Sequence, residues 1–177
     1  LHGCDLSEGN LQATRARFAE IGRPADLCLA DAEHLPYADN HFDAVYSLSV
    51  LWYVPHPAAA VREMFRVAKP GGLVVFDMLN AFHITTLSNH GWRIVCRWFG
   101  RELGRTSFST PARLARVAEE QAAEFHVYGN YLVLPAGLPV LKEAGNWCRF
   151  VPRLAYAMTE GPARILAHKL LVTARKR

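Results

Sequence analysis

The stretch D-A-E-H-L-P-Y-A-D-N-H-F-D-A-V-Y-S, residues 31–47, joins two apolar runs of the chain through a polar loop. The first run, residues 26–30 (D-L-C-L-A), predicts a short buried strand that ends at Asp31. The loop contains the turn-forming residues Pro36 and Asn40, and residues 42–49 predict a second strand. The pattern therefore places polar side chains at the carboxyl ends of two strands.

The flanking segments predict helices on both sides of this unit. Residues 1–6 are typical of a strand end, and Ser7 can cap a helix that Gly22 ends. Its apolar face would hold Leu11, Thr14, Phe18 and Ile21. A second helix follows Pro55 and Pro57, with apolar residues at i, i+3, i+4 and i+7: Val61, Met64, Phe65 and Ala68.

The turn Pro70-Gly71-Gly72 is predicted to end this second helix, and residues 73–76 predict a further strand. Short strands that are apolar throughout, alternating with amphipathic helices, are typical of a parallel sheet covered on both faces. The sequence therefore predicts an α/β, doubly wound, mostly parallel sheet.

The second half of the chain is predicted to continue the same domain. Residues 1–79 would form its core, and residues 80–177 would add the remaining elements. Thr110-Pro111 is typical of a helix start, with Leu114, Val117 and Ala118 facing inward. Two last strands are predicted at about residues 125–134 and 165–174, with insertions at about 80–109 and 135–163.

Composition excludes several classes of protein. The 177 residues are 51% hydrophobic and 20% charged, with a net charge of +4, which favours one globular domain. No block of five like charges occurs, so nucleic-acid binding is not favoured. The four cysteines are widely separated, which predicts neither a disulfide framework nor a metal site. No signal peptide or membrane-spanning run is recognisable, so we expect a cytoplasmic protein.

Three polar residues fall at predicted strand ends: Asp5, Asp31 and Ser47. Ligands of doubly wound sheets bind outside the carboxyl ends of the strands, where an acidic residue can accept hydrogen bonds from both hydroxyls of a ribose. Aspartate also caps helices and forms turns, so each acid taken alone favours a structural interpretation.

The combination is more specific than any one acid. G-C-D-L-S at residues 3–7, the stretch 31–47 and R-V-A-K-P-G-G at residues 66–72 together resemble the class I S-adenosylmethionine-dependent methyltransferases, in particular their small-molecule branch. The resemblance covers residues 1–79 and implies a Rossmann-like fold. It implies that residues 1–79 form the cofactor-binding core.

The resemblance also implies individual roles. Asp5 would hold the cofactor ribose, with Leu6 against the adenine. Asp31 would reach the adenine amino group, and the backbone N–H of Ala32 a ring nitrogen. Ser47 would lie under the methionine part, and residues 51–54 would border the methyl-transfer site. Where the family often has histidine, this chain has Trp52-Tyr53, and no catalytic base is identified.

One family motif has no counterpart in the sequence. The glycine-rich G-x-G-x-G loop does not occur, and in the family it follows the central strand of the sheet. We therefore expect an N-terminal truncation that leaves two strand edges unpaired, one beside the strand ending at Asp5 and one beside that ending at Ser47. A chain without this loop is expected to bind the cofactor poorly and to be inactive.

The expected activity is transfer of a methyl group from S-adenosylmethionine to a small, partly apolar molecule. Residues 80–109 and 135–163 would build the substrate pocket. An NAD-dependent Rossmann oxidoreductase and a non-catalytic, degenerate domain are alternatives, because Asp5 could equally hold an NAD ribose. Arginines at every fourth position from Arg93 to Arg105 predict either a solvated face or a peripheral membrane contact. The oligomeric state is not predicted.

Overall fold

The computed structural model describes residues 1–79, Trp98, 111–130 and 169–177. The predicted insertions at 80–109 and 135–163, the Arg93–Arg105 segment and parts of the last predicted strands lie outside the described residues. Within the described ranges the chain forms, in order, β1 (His2–Asp5), α1 (Glu8–Glu20), β2 (Asp26–Leu29), β3 (Phe42–Ser47), α2 (Pro57–Val67), β4 (Ala68–Leu79), α3 (Pro111–Gln121), β5 (Ala122–Asn130) and β6 (Lys169–Lys176).

The described strands form two sheets. β1 and β2 pair in parallel, whereas the larger sheet has the order β3-β4-β6-β5. β3 is parallel to β4, and β6 is antiparallel to both β4 and β5. Strands β3, β4 and β5 therefore run in one direction and only β6 opposes them, which confirms the predicted α/β architecture with a mostly parallel sheet.

A groove separates the edge strand β1 of the smaller sheet from the edge strand β3 of the larger one. β1 pairs only with β2 and β3 only with β4 among the described strands, so each has one edge without a strand partner there. A cavity of about 560 Å³ lies between them, lined by residues 1–4 and 42–48 together with residues of α2 and the β2–β3 loop. We call this cavity the intersheet groove. At the amino ends of the strands the gap is bridged by aromatic contacts, with the His2 and Phe42 ring centroids 5.4 Å apart.

The hydrophobic core lies between the larger sheet and helices α2 and α3. The predicted apolar faces are confirmed, because Val61, Met64, Phe65 and Ala68 are all buried, as are Leu114, Val117 and Ala118. Phe76 and Val172 supply fully buried side chains from the sheet. The first helix differs: Ser7 caps it as predicted, but only Leu11 of its expected apolar face is buried.

Three local predictions need correction. The strand predicted at residues 26–30 is not buried, since the Leu29 side chain is 60% exposed. Strand β5 begins at Ala122 and β6 ends at Lys176, both outside the predicted ranges, because the pairing of β5 with β6 and not apolar content fixes these two ends. Strand β4 begins at Ala68, so Pro70-Gly71-Gly72 lies within it and shifts its register with β3.

Glycine is required at two positions of this irregularity. Gly71 has φ of 75°, in the left-handed region that favours glycine. A Cβ on Gly72 would lie 2.8 Å from the Lys69 carbonyl oxygen and 3.2 Å from that of Asp43. Both contacts are with backbone, so neither is relieved by rotating a side chain.

We expect Gly72→Ala to lower the free energy of unfolding by about 1–3 kcal/mol through this steric conflict. Gly9→Ala is the matched control, because its nearest contact is the Ser7 Oγ at 3.7 Å and alanine suits the helix better. Urea denaturation of the two variants tests the difference. Equal stability of both would contradict the tight approach at Gly72.

Candidate functional site

Asp5 ends β1 and supports the start of α1. Its Oδ1 accepts the backbone N–H of Ser7 at 2.7 Å, and the Asn10 side-chain amide lies 3.3 Å from both carboxylate oxygens. The Ser7 hydroxyl in turn accepts the Asn10 N–H. Asp5 therefore forms an Asx turn just before the Ser7 cap of α1, and the same contacts hold its carboxylate in a fixed position at the carboxyl edge of the sheet.

Asp31 lies beside Asp5 because their strands are adjacent. The Ala30 N–H donates to the Asp5 carbonyl oxygen at 3.1 Å, which continues the β1–β2 pairing to the strand ends. Asp31 Oδ1 accepts the Glu33 N–H at 2.9 Å, and its carbonyl oxygen accepts the N–H of His34. Within the described residues Asp31 Oδ2 accepts no hydrogen bond. Two half-buried carboxylates thus end neighbouring parallel strands, as the sequence predicts.

The Cys4 thiol lies close to both Asp5 and Asp31. Burial raises the pKa of the Cys4 thiol, and the nearby Cys28, Asp5 and Asp31 raise it further. The thiol therefore stays protonated and neutral at physiological pH, and Cys4 acts as a small apolar group.

The other predicted site residues divide between the groove and its surroundings. Ala32 and Ser47 both line the intersheet groove. Leu6 does not line it and its side chain is 70% exposed. The structure thus brings Ala32 and Ser47 to one cavity, with Asp5 and Asp31 beside it and Leu6 on the surface.

Arg66 holds the β2–β3 loop that carries this site, a role that the sequence did not predict. Its guanidinium donates to the carbonyl oxygens of Leu35 and Tyr37, to Asp39 Oδ1 and to both carboxylate oxygens of Glu63, at 2.7–2.9 Å. Glu63 also accepts the Leu35 N–H at 2.9 Å. The β2–β3 loop is thereby fastened to α2.

Glu33 makes a second attachment of the same loop. Its two carboxylate oxygens accept the backbone N–H of His56 at 2.8 Å and contact the His56 Nδ1 at 2.9 Å. His56 precedes the first residue of α2. The only available signal for these contacts was the presence of Arg66 in the R-V-A-K-P-G-G motif, since Glu33 and His56 have no recognisable spacing.

No metal site accompanies these residues. The described part of the chain contains no group of three or more histidine, cysteine, aspartate or glutamate side chains that could hold a metal ion. Among the helices that the structure describes, none is long and apolar enough to cross a bilayer.

We expect Arg66→Lys to destabilise the protein by about 2–4 kcal/mol, because lysine has three donors without the planar fork that serves five acceptors. The control is Arg62→Lys, the same change at an exposed position of the same helix. Thermal and urea unfolding measure the difference. A loss no larger than that of Arg62→Lys would contradict the role of Arg66.

The Glu63 carboxylate gives this attachment a pH dependence. The hydrogen bonds from Arg66 lower the pKa of Glu63 below its ordinary value of 4.5, more than burial raises it. A lowered pKa adds stability above the unfolded-state pKa and loses it as pH falls through the folded-state value. The stability difference between the unmodified protein and Glu63→Gln should therefore be constant above about pH 6 and shrink below about pH 4.5. Urea denaturation across this range measures it, and a difference that grew on acidification would contradict the assignment.

Comparison with known sequences agrees with this geometry. Residues 1–76 match a family described as a methyltransferase domain. The ubiquinone/menaquinone biosynthesis C-methyltransferase UbiE of Cupriavidus necator is 44% identical over 71 residues, 40% of this chain and 29% of the relative. The ubiquinone biosynthesis O-methyltransferase of Thiobacillus denitrificans is 36% identical over 127 residues, 69% of this chain and 54% of the relative. The chain thus spans about half or less of the length of these curated relatives.

Comparison of structures supports the same fold. The crystal structure of an S-adenosylmethionine-dependent methyltransferase from Thermotoga maritima superposes with a TM-score of 0.70 at 17% identity, covering 99% of this chain and 72% of the other. Similarity at this identity shows the fold alone. Residues 1–76 are thus similar in sequence to methyltransferase domains, and the chain has the fold of an S-adenosylmethionine-dependent methyltransferase.

Proposed function

We propose that the protein transfers a methyl group from S-adenosylmethionine to a small, partly apolar molecule. The observation that carries the proposal is the pair Asp5 and Asp31 at the ends of adjacent parallel strands, both close to the Cys4 thiol. Paired strand ends of this kind are where doubly wound sheets bind nucleoside-containing ligands. The family match of residues 1–76 agrees with this placement.

The acids have the capacity that this cofactor requires. An ionised carboxylate offers about four acceptor positions, and Asp5 uses Oδ1 for the Ser7 N–H while sharing both oxygens with one amide of Asn10. Acceptor capacity therefore remains for two ribose hydroxyls. Asp31 Oδ2 similarly has capacity for the adenine amino group. The residues present fit the adenosine part of the cofactor.

The remaining assignments follow the same edge of the sheet. Leu6 presents an exposed apolar side chain next to Asp5, which suits contact with the face of the adenine. The Ala32 N–H would donate to a ring nitrogen, and Ser47 would lie under the methionine part. The cofactor supplies an electrophilic sulfonium methyl, and the chain's own contribution is to hold the two reactants in line and exclude water. No residue is assigned as a catalytic base.

The lining of the intersheet groove and the names of the relatives favour one class of substrate. The lining of the intersheet groove includes Val45, Leu48 and Leu51, which favours an apolar ligand nearby. The two curated relatives are named for quinone biosynthesis, one for methylation at carbon and the other at oxygen. We propose a phenol or quinol as substrate. The named relatives differ in the methylated atom, so their similarity favours neither carbon nor oxygen.

Two other functions were open from the sequence. An NAD-dependent oxidoreductase would use Asp5 in the same way, but the match of residues 1–76 to a methyltransferase domain favours the present proposal. A non-catalytic domain would bind S-adenosylmethionine weakly or not at all. We also propose a cytoplasmic protein, and peripheral membrane contact through Arg93–Arg105 stays a prediction outside the described residues.

We expect Asp5→Ala in the full-length protein to weaken S-adenosylmethionine binding about ten- to hundredfold, a loss on the order of 1.5–3 kcal/mol for two ribose hydrogen bonds. Asp5→Asn separates the two roles of this side chain, because asparagine forms Asx turns as aspartate does but is a weaker acceptor. It should retain stability and lose affinity. Isothermal titration calorimetry measures both variants.

The control is Asp26→Asn, an exposed aspartate at the opposite, amino end of the neighbouring strand. Its affinity for the cofactor should equal that of the unmodified protein. Unchanged affinity in Asp5→Asn and Asp5→Ala would contradict the ribose assignment. Methyl transfer from radiolabelled S-adenosylmethionine to a panel of phenols and quinols tests the substrate class.

A further inference from the structure

A buried charge lies in the middle of the larger sheet. Asp77 of β4 is 3% exposed and is the only buried charged side chain among the described residues. Its neighbours on the strand, Phe76 and Met78, belong to the hydrophobic core. A carboxylate removed from water in this way is costly unless it is paired and hydrogen-bonded. Its partners therefore indicate what it does.

The first partner is the backbone of the turn after β3. Asp77 Oδ1 accepts the Ser49 N–H at 2.6 Å, a short charge-assisted hydrogen bond. Ser49 has φ of 63°. This left-handed conformation is energetically unfavourable for serine. Such a conformation persists only where surrounding contacts enforce it. Asp77 supplies one of these contacts from inside the sheet.

The second partner is Lys169, which lies 120 residues after Ser49 in the chain. Lys169 Nζ donates to the Ser49 Oγ at 2.8 Å and lies 3.6 Å from Asp77 Oδ2. The same ammonium lies 4.6 Å from the centroid of the Trp52 ring, within cation–π range. Its side chain is only 18% exposed. Asp77 and Lys169 thus hold both the backbone and the side chain of Ser49, and Trp52 beyond it.

The turn that Asp77 and Lys169 hold lies next to the intersheet groove. Ser49 follows Ser47 by two residues at the carboxyl end of β3, and Val50 and Leu51 line the intersheet groove. We propose that Asp77 and Lys169 are positioning residues that lock the turn of residues 49–54 against the larger sheet and so set where the substrate lies. This inference rests on the proposed methyltransferase function, and neither side chain is assigned contact with the reacting atoms.

An exposed pair in the same sheet provides the comparison. Lys69 Nζ lies 2.7 Å from Asp43 Oδ1, closer than in the buried pair, but the two side chains are 45% and 88% exposed. Exposed ion pairs contribute little because water screens them, whereas removing one partner of a buried pair leaves an uncompensated charge. Lys69→Met is therefore the matched control for Lys169→Met.

The experiment uses the full-length protein labelled with 5-fluorotryptophan. Its ¹⁹F NMR signal for Trp52, assigned with Trp52→Phe, reports the turn directly. Lys169→Met should shift or broaden this signal and lower the melting temperature by about 5 °C or more, whereas Lys69→Met should do neither. Lys169→Arg keeps the charge and should restore the signal in large part.

The functional measurement separates positioning from general stability. With the phenol or quinol that the unmodified protein methylates, Lys169→Met and Asp77→Asn should lower kcat/KM about ten- to hundredfold, below the melting temperature of each variant. Affinity for S-adenosylmethionine should change less than about threefold, because Asp5 ends β1 and Asp31 follows β2, and both strands belong to the other sheet.

Three results would overturn the inference: a Trp52 signal unmoved by Lys169→Met, kinetics equal to those of Lys69→Met, or a loss of cofactor affinity as large as the loss of turnover. If the unmodified protein neither binds S-adenosylmethionine nor methylates any member of the panel, the proposed function fails instead. The Trp52 signal then still decides the structural part, since a change confined to Lys169→Met supports the locked turn and its absence refutes it.

Discussion

The guanidinium of Arg66 constrains the segment on which the described site depends. The chain passes from the two-stranded sheet to the larger one through residues 30–41, and no described backbone pairing joins the two sheets directly. Three hydrogen bonds from Arg66, to Leu35, Tyr37 and Asp39, fasten this segment to α2, which is itself packed in the core. Ala32, Asp31 and the strand that ends beside them take their positions relative to Ser47 largely through this attachment.

Local patterns predicted the elements well where local physics determines them. Ser7 caps α1 because its hydroxyl accepts an N–H three residues ahead, and the apolar face of α2 is buried because helical periodicity fixes it. The strand at residues 26–30 was wrongly expected to be buried, since apolar content cannot show whether another layer covers a strand. Pro70-Gly71-Gly72 was placed between helix and strand, but pairing with β3 extends β4 through it.

Some residues of the candidate site could be predicted from the sequence, and others could not. Strand-end position identified Asp5 and Asp31, and the structure places them side by side through the β1–β2 register. Asp77 and Lys169 were missed for a different reason. A lone acid in the run L-V-V-F-D-M-L is a recognisable signal, but its partner arrives through the antiparallel pairing of β4 with β6, which no local pattern specifies. The same holds for Lys176, whose ammonium binds the carbonyl oxygens of Arg66 and Ala68 at the end of α2.

The place of β6 between β4 and β5 has a consequence for the order of folding. Leu73 pairs with Arg175, about a hundred residues further along the chain, so the entropy of closing a long loop must be paid before that pairing stabilises anything. β5 has β6 as its only described neighbour, so it cannot join the sheet until β6 is in place. During synthesis on the ribosome, β3, β4 and α2 can associate early, while one edge of β4 remains unpaired until β6 is made. This unpaired edge is the part of the nascent chain most exposed to pairing with another molecule, and the part where a chaperone would have most effect.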